Sequence, residues 1–384
     1  MVGQVSLSLV LLMAGGLFVR TLENLRNLDQ GFQSDGVLLV NLDARHAGYR
    51  DAKLVALYGE LLERLSASPG VTSASLSANT PLSGGIWSGS ILLEGQAPRS
   101  GGGPSAHFNT VAPRYFATMR TPLLLGRDFA RSDDADAPPV AIVNEAFVKL
   151  YLRGRNPLGV RVSAQDSPDA QNMEVVGVVG DVVSFDLREA APPFVYMPYF
   201  QHAKTAGFAT IELRVRGPLG GVADAARRSI HDRLSNTAVT ILPFGEQIER
   251  ALEPERLVAA LASLFAAISL GLAAVGLYGL VAYTVTRQTH EIGVRMALGA
   301  NQVGVLWMVL RAALALVGAG LLVGLPISFA ASTLVSKMLF GLKPTDLTNT
   351  ILVSGLLLIV AALAAYLPAR RAANLDPMVA LRCE

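Results

Sequence analysis

A short charged segment, Thr289 to Asn301, separates two long apolar runs in the C-terminal half of the chain. Within it, Glu291 precedes Arg295 by four residues, which is the order that favours an ion pair on one face of a helix. Ile292 and Met296 have the same spacing and predict an apolar pair beside the charges. The pattern predicts a short helix with one charged and one apolar side, a rigid element on which another protein could act.

The end of this segment carries two residues that favour helix boundaries. Gly299 can adopt the left-handed conformation that closes a helix, and Asn301 can accept hydrogen bonds from the first turn of the next helix. Both residues therefore predict a sharp turn between two helices. An ordinary loop, whose charges only fix the orientation in a membrane, remains an alternative interpretation of the same residues.

No catalytic motif accompanies this segment. The chain contains no Gly-x-x-x-x-Gly-Lys-[Ser/Thr] phosphate loop, and none of its lysines follows a glycine. It contains neither a His-Glu-x-x-His nor a Gly-x-Ser-x-Gly motif, its five histidines are scattered, and its single cysteine is Cys383. No basic stripe indicates nucleic acid. The sequence therefore predicts no enzyme, no cofactor and no metal site.

The composition is that of an integral membrane protein. Charged residues make up 16% of the 384 residues, against about 25% in soluble proteins, and the mean hydropathy is +0.42. The deficit of charge is concentrated in four runs of roughly the length that a helix needs to cross a bilayer. These runs, which predict four transmembrane helices, are residues 1–19, 257–286, 312–336 and 347–369.

The basic residues near the ends of the last three runs predict their orientation, because Lys and Arg accumulate on the cytoplasmic side. The side that carries residues 287–302 and the Arg370–Arg371 pair is more basic than the loop that contains Lys337 and Lys343. We therefore expect the first side to be cytoplasmic and residues 20–255 to be extracytoplasmic.

Residues 1–19 are harder to interpret than the other runs. A cleaved signal peptide is an alternative, but the run lacks a basic start and a cleavage motif. Arg20 and Arg26 flank its outer end, against the rule that the later runs follow. The abrupt start leads us to expect further sequence upstream.

Residues 20–255 predict a mixed α+β domain. Asp51 to Ala67 has large apolar residues on one helical face, and the segments Val37 to Asp43 and Val71 to Ser77 that flank it predict strands. The order of elements is compatible with two lobes, one built from the ends of the region and one inserted between them. The other predicted elements are strands at residues 106–111, 140–143, 174–183, 210–215 and 239–242 and helices at residues 145–152 and 221–234.

Three residues of the third membrane segment concern its packing and its position. Gly320 and Gly324 have the spacing that lets helix backbones approach closely, either within one chain or at a dimer seam. Arg311 lies about three turns after Asn301, from where its side chain can reach the headgroups.

Residues 291–300, Glu-Ile-Gly-Val-Arg-Met-Ala-Leu-Gly-Ala, resemble the E-I-G-[IV]-[RL]-x-A-x-G-A signature of the MacB/FtsX-like permeases of ABC transporters. In that family the segment is the cytoplasmic coupling element that contacts a separate ATPase subunit. The resemblance implies this ATPase-coupling role for Glu291, Ile292, Gly293, Arg295, Met296, Leu298, Gly299 and Ala300.

Other phrases extend the resemblance over nearly the whole chain. Residues 366–382 are similar to the Y-x-P-A-R-R-A-x-x-x-D-P-x-x-A-L-R ending of the same permeases. Residues 140–147, 156–162 and 176–182 resemble parts of their extracytoplasmic core domain. Within the family, the chain looks most like the second half of the permeases in which two such units are joined without a fused ATPase.

The resemblance implies a fold and a function. The fold is an α-helical membrane protein with four spans and a large α+β extracytoplasmic domain. A MacB-like core domain is expected over residues 20–255 and an FtsX-like permease domain over residues 256–384, with the coupling segment at residues 287–302. Together they imply a permease subunit of the cell inner membrane that couples ATP hydrolysis by a separate cytoplasmic ATPase to conformational change outside.

The expected substrate is amphiphilic, such as an antimicrobial compound, a peptide or a lipoprotein that is exported or extracted. Expected partners are the ATPase, a second permease unit, the lipid bilayer and a periplasmic adaptor. A membrane-anchored sensor or regulator whose outer domain binds a ligand or a cell-wall hydrolase is the main alternative. A membrane-anchored enzyme is disfavoured by the missing catalytic motifs.

Overall fold

The chain divides into two compact units in the computed structural model. The helical unit comprises Met1–Asn27 and Leu252–Glu384, and the α/β unit comprises Leu28–Ala251. The structure describes residues 1–45, 47–85, 87–95, 103–165, 172–202, 209–234, 237–298, 301–334, 340 and 346–374.

Ten α-helices and eleven β-strands are formed by the described residues, and one π-helical turn, Val148–Leu152, continues α4. In chain order they are α1 (Val2–Arg26), β1 (Val37–Leu42), α2 (Asp51–Ser66), β2 (Val71–Ser77), β3 (Trp87–Leu93), β4 (Ser105–Val111), α3 (Tyr115–Met119), β5 (Leu123–Gly126), β6 (Val140–Asn144), α4 (Glu145–Phe147), β7 (Arg161–Ala164), β8 (Met173–Val179), β9 (Phe194–Pro198), β10 (Ala209–Val215), α5 (Leu219–His231), β11 (Val239–Pro243), α6 (Phe244–Ala251), α7 (Glu253–Arg287), α8 (Thr289–Ala297), α9 (Gln302–Leu334) and α10 (Leu347–Ala373).

Four helices of the described chain, α1, α7, α9 and α10, are long and apolar enough to cross a bilayer. They confirm the four membrane helices that the apolar runs predict. All four extend beyond the runs at one end or at both, and α1 and α9 do so by the largest number of residues. The helix α1 continues to Arg26, and α9 begins at Gln302, ten residues before Ala312. Charged residues ended the uncharged runs at these places, but a charged side chain does not interrupt the helical backbone.

The helix α1 is hydrogen-bonded to each of the other three long helices. The Ser6 hydroxyl donates to the backbone oxygen of Gly320 in α9 at 2.9 Å. The Ser8 and Ser269 hydroxyls, in α1 and α7, lie 2.7 Å apart. The Asn349 amide of α10 donates to the backbone oxygen of Met13 at 3.1 Å. Lipid tails are as apolar as the helix surfaces, so apolar contacts alone do not favour a neighbouring helix over lipid. Buried hydrogen bonds between helices therefore help to hold these four helices together.

Gly320 and Gly324 form the surface of α9 on which α1 packs. A Cβ atom added at Gly320 would lie 2.6 Å from Val5 Cγ1, and one added at Gly324 would lie 2.9 Å from Leu9 Cδ2. Neither distance leaves room for a methyl group without movement of the neighbour. The small-residue spacing therefore accommodates α1 of the same chain, and a role of these glycines at a dimer seam stays a prediction.

Arg20 forms an ion pair with Asp346 within the helical unit. Asp346 also caps α10, since its side chain accepts hydrogen bonds from the backbone N–H groups of Thr348 and Asn349. The basic residue at the outer end of α1 is thus neutralised by a carboxylate at the start of α10. This pairing accounts for an arginine on the side where the positive-inside rule does not expect one.

An open antiparallel sheet forms the first part of the α/β unit, with the strand order β11-β1-β10-β2. The helices α2 and α5 cover one face of it. The apolar face of α2 packs there through six side chains, each of them fully or largely buried. They are Leu54, Leu57, Tyr58, Leu61, Leu62 and Leu65. They are the side chains whose spacing predicts an amphipathic helix.

A closed ring of six strands forms the second part, in the order β4-β3-β7-β8-β6-β9, with β9 pairing back to β4. The barrel joins the open sheet where β2 pairs with β4, at Ser77 and Val111, with backbone hydrogen bonds from Ala78 N to Thr110 O and from Ala112 N to Leu76 O beside this pair. The interior of the barrel is filled by apolar side chains such as Ile91, Phe108 and Val195. The barrel strands lie between β2 and β10 in the chain, so the barrel is an insertion in the open sheet.

The phrases at residues 140–147 and 176–182 meet in space. The Asn144 amide donates to Asp181 Oδ1 at 2.8 Å, and the backbone N–H of Ala146 donates to the same oxygen at 2.7 Å. Asn144 also caps α4, because its side-chain oxygen accepts from Phe147 N at 3.1 Å. The residues of these phrases thus fix the join between β6, α4 and β8, a structural role.

Candidate functional site

The helix α8 follows α7 with a single residue between them. Gln288 has φ −97° and ψ 9°, which breaks the helix, yet its carbonyl still accepts from Ile292 N at 2.9 Å. The Thr289 hydroxyl donates back to the carbonyl of Val285 at 3.0 Å. Because these bonds span the break, α8 is attached to the end of α7 without a flexible loop.

The predicted ion pair of α8 is present. Arg295 donates to Glu291 Oε1 at 2.5 Å, and both side chains are about half exposed. A second nitrogen of Arg295 lies 3.3 Å from the sulfur of Met308, in α9. Arg295 therefore contacts α9 as well as its own helix. Since exposed pairs of this kind contribute only about 0.3–0.5 kcal/mol, the pair orients the helix more than it stabilises the fold.

The apolar side of α8 faces the helical unit. Ile292 is only 3% exposed and packs in a cluster with residues of α7 and α9, including Val285 and Val305. Met296 lies against the same cluster and is partly buried. The predicted apolar pair is confirmed, and it attaches α8 to the two membrane helices on either side.

The far end of α8 exposes apolar surface. Leu298, directly after the helix, is 84% exposed, and Val294 is also exposed. These two side chains are available for contact with another molecule or with lipid. Gly299 and Ala300 lie outside the described residues, as do the side chains of Gly293 and Ala297. The left-handed cap at Gly299 stays a prediction.

The start of α9 has the predicted cap. Asn301 Oδ1 accepts from the backbone N–H of Val303 at 3.3 Å, and the Asn301 carbonyl accepts from Gly304 and Val305. This is the pattern of a helix N-cap, in which a side-chain oxygen satisfies a donor of the first turn. It fixes where the chain turns back into the membrane after α8.

A groove of about 350 Å³ opens between α7, α8 and α9. Its walls are apolar, with Leu277, Val281 and Leu316 among the lining residues, and the Glu291–Arg295 pair lies at its edge. The sequence did not predict the groove or that Met308 lines it, because the contact between Arg295 and Met308 joins residues of separate helices. A methionine about two turns after Asn301 carries no signal that it lies beside Arg295.

The surroundings of α8 are basic. Arg287 and His290 are exposed at the junction of α7 and α8, and Arg370 and Arg371 are exposed at the end of α10. Arg371 donates to the Tyr278 hydroxyl of α7 at 3.2 Å. Glu291 is the one carboxylate among the described residues of α8. The excess of positive charge suits a surface that faces anionic headgroups or an acidic protein.

Nothing among the described residues points to chemistry at this surface. No group of three or more His, Cys, Asp or Glu residues in that part of the chain could hold a metal ion. The arrangement can transmit movement between a surface helix and two membrane helices, and it has no group placed to activate a nucleophile.

Comparison with known families finds two matching domain families along the chain. Residues 5–233 match the MacB-like periplasmic core domain, and residues 263–377 match the FtsX-like permease C-terminal domain. The first match covers more than half of the chain. The chain therefore belongs to the MacB/FtsX-like family of ABC transporter permeases, and it is a membrane protein with four spans and an extracytoplasmic α/β unit.

Among curated relatives, the macrolide export ATP-binding/permease protein MacB of Marinobacter nauticus is 28% identical over 291 residues, which cover 73% of this chain and 44% of that protein. The uncharacterized ABC transporter permease YknZ of Bacillus subtilis is 27% identical, covering 67% and 65%. The pyoverdine export ATP-binding/permease protein PvdT of Pseudomonas savastanoi is 27% identical, covering 74% and 42%. The chain thus spans about half the length of these relatives.

Proposed function

We propose that the chain is the permease subunit of an ABC transporter and that a separate cytoplasmic ATPase drives it through α8. The observation that supports this most is the double attachment of α8. Its buried side packs on α7 and α9 through Ile292 and Met296, and its end exposes Leu298. An element held in this way transfers a push at its exposed end to both helices.

The attachment suggests how force would pass outward. No flexible loop separates α8 from α7, and Arg295 contacts Met308 in α9, so a shift of α8 moves both helices together. The chain continues directly from α6 into α7, since only Leu252 lies between them. The link between α7 and the α/β unit is therefore short along the chain, which supports a transfer of movement outward. Such mechanical coupling needs no pore through the four helices.

The substrate we propose is an amphiphilic molecule that is exported or extracted from the outer side of the cell inner membrane. The names of two relatives, macrolide export and pyoverdine export, support this class of substrate. A second permease unit and a periplasmic adaptor complete the proposed assembly. A pairing of this chain with another half in a duplicated permease is consistent with the same proposal.

The test of the coupling role reverses the charge of Glu291. Glu291→Arg places two arginines four residues apart and pushes the end of α8 away from its position, so binding and stimulation of the ATPase should fall at least several-fold. Leu298→Asp should have a similar effect by placing a charge in the apolar contact. The measurements are the ATPase copurifying with the chain and the ATP hydrolysis rate of the reconstituted complex.

A matched control lies in the α/β unit. Glu246 and Arg250 of α6 form an exposed pair with the same four-residue spacing. Glu246→Arg should lower neither ATPase binding nor its stimulation. If Glu291→Arg and Leu298→Asp, at normal membrane levels, both couple as well as the control, α8 is a connecting helix without a coupling role.

A further inference from the structure

Arg311 is the only charged residue of α9. It lies ten residues after the cap at Asn301, about 15 Å along the helix axis at 1.5 Å per residue. Its side chain is exposed, and no ion pair joins it to a carboxylate of the described residues. An arginine so far along a membrane helix needs an anion within reach of its side chain.

The face of α9 that carries Arg311 does not face the other helices. Trp307, one turn before it, is 58% exposed, and Leu322, three turns after it, is 77% exposed. The buried residues of this stretch, such as Ala313 and Val317, lie on another side of the helix. Trp307 and Arg311 therefore lie on a face that the other described helices of this chain leave uncovered, and we infer that lipid covers it.

The direction of the side chain places the guanidinium near the membrane surface. Side chains of an α-helix lean toward its N-terminus, which for α9 is the end next to α8. An Arg311 side chain that follows this rule extends toward the level of Trp307. Tryptophan is enriched at the level of the headgroups, where its ring meets the acyl chains and its N–H meets polar groups. The two side chains bracket the depth at which lipid phosphates lie.

The protein itself offers no counter-charge at this depth. Among the described residues of the four long helices, carboxylates occur at Glu23, Glu253 and Glu255, at the ends remote from α8. At the near end, Glu291 is already bonded to Arg295. The anion closest to a lipid-facing Arg311 is then the phosphate of a phospholipid.

We propose that Trp307 and Arg311 form a binding site for an anionic phospholipid of the leaflet next to α8. The guanidinium donates hydrogen bonds to the phosphate, and the indole packs beside the lipid at the level of the headgroups. A net negative lipid such as phosphatidylglycerol is preferred over phosphatidylcholine, because no choline group then competes for the phosphate. The site depends on α9 spanning the bilayer and is independent of coupling to an ATPase.

The chain has two tryptophans, so Trp87→Phe leaves Trp307 as a single fluorescent reporter beside the site. The full chain is placed in nanodiscs of phosphatidylcholine and phosphatidylglycerol, with bromine on the acyl chains of one lipid or the other. Quenching of Trp307 then reports which lipid lies next to it. We expect phosphatidylglycerol to be enriched roughly five-fold over its bulk fraction, as suits one charge-assisted contact.

Three variants in this background test whether Arg311 causes the enrichment. Arg311→Gln should bring the ratio close to one, and Arg311→Lys should retain most of it. Arg287→Gln, which removes a neighbouring exposed cation, should keep it. Inorganic phosphate added to phosphatidylcholine nanodiscs should leave the fluorescence unchanged, since a free anion does not reach this depth.

Two results would overturn the site. If both brominated lipids quench Trp307 equally in the chain that retains Arg311, the proposed site does not exist, and the results of the variants cannot restore it. An equal loss of enrichment in Arg287→Gln and Arg311→Gln assigns the effect to the general positive field of this end. The first result is measured in the Trp87→Phe chain alone. The proposal can therefore be refuted even if one of the Arg311 or Arg287 variants fails to fold.

Discussion

Glu212 occupies an unusual position for a carboxylate. It lies in the middle of β10 and is fully buried, with Oε1 accepting from the Ser77 hydroxyl at 2.5 Å and Oε2 without a hydrogen-bond partner. Burial raises the pKa of Glu212 to about 8. Arg214, two residues on, donates instead to the carbonyls of Thr118, Gln33 and Asp35. The carboxyl is thus neutral at acidic and neutral pH.

This burial predicts a pH dependence of stability. An unfolded glutamate loses its proton near its ordinary pKa of 4.5, whereas the folded Glu212 keeps it up to about pH 8. The folded state therefore binds more protons between these values, and stability falls as pH rises from about 5 to 8. Glu212→Gln, which cannot ionise, should be more stable than the unchanged chain at pH 8, by on the order of 2–4 kcal/mol, with a smaller gain at pH 5.

Thermal unfolding of the full chain in detergent, followed at several pH values by near-ultraviolet circular dichroism, measures the difference. Glu246→Gln is the control, because its carboxylate is exposed and paired with Arg250. That variant should unfold with the pH dependence of the unchanged chain. A gain for Glu212→Gln that is the same at pH 5 and pH 8 would contradict a raised pKa.

Contacts between residues close in sequence were predictable at this scale. Glu291 with Arg295 and the cap at Asn301 depend only on the geometry of one helix turn. The burial of Glu212 was not predictable, since the strand pattern of residues 210–215 says which residues alternate but not that a carboxylate faces Ser77. That contact depends on the pairing of β10 with β2, across 135 residues.

Two glycines of α9, Gly320 and Gly318, test how α9 packs on α1, because only Gly320 lies against α1. Gly320→Ala places a methyl group 2.6 Å from Val5 Cγ1 and 2.7 Å from Val5 Cβ, whereas the same change at Gly318 meets no atom within 4 Å. We expect Gly320→Ala to destabilise the helical unit by about 1–3 kcal/mol, as overpacking typically does. Gly318→Ala should be neutral or slightly stabilising.

The measurement is the unfolding of both variants in mixed micelles, followed by far-ultraviolet circular dichroism. If the two variants are equally stable, α1 moves away from the added methyl group at Gly320 without loss of unfolding free energy, which contradicts a close-packed contact.

The sequence predicted some elements better than others for a physical reason. The strand β2 and the helix α2 matched closely, because their apolar residues follow the period of their own secondary structure. The short barrel strands β3, β7 and β9 were missed, and so was β5, which pairs with β8 outside the ring. They have four to seven residues, and β5 exposes all of its side chains, so no alternation marks it. Their pairing partners, distant in sequence, make them strands.

For the whole molecule, the orientation in the membrane is open to a direct test. Ser132 is exposed in the α/β unit, and Asn301 is exposed at the start of α9. With Cys383 replaced by Ser, an impermeant maleimide applied to intact cells should label Ser132→Cys and leave Asn301→Cys unlabelled. Both should be labelled after the membrane is made permeable. Labelling of Asn301→Cys alone in intact cells would reverse the orientation.

The sequence predicted the four membrane helices and a mixed α/β domain, because hydropathy and turn residues act over short stretches. It did not predict that α1 contacts all three other long helices. The Gly320 and Gly324 spacing indicated a close neighbour without identifying it, since small residues permit an approach by any helix. Identifying α1 as that neighbour needed the structure.

The central position of α1 also sets an order of events during synthesis. It is made before the other three long helices, and hydrogen bonds of Ser8, Ser6 and Asn349 join it to residues made 261 to 336 positions later. At about 5–20 residues per second, on the order of tens of seconds pass before α10 exists. During that time α1 lacks its interhelical hydrogen bonds, although the Ser6 hydroxyl can still donate to the carbonyl of Val2 in the same helix. Lipid or the insertion machinery must therefore accommodate α1 until α10 has been synthesised.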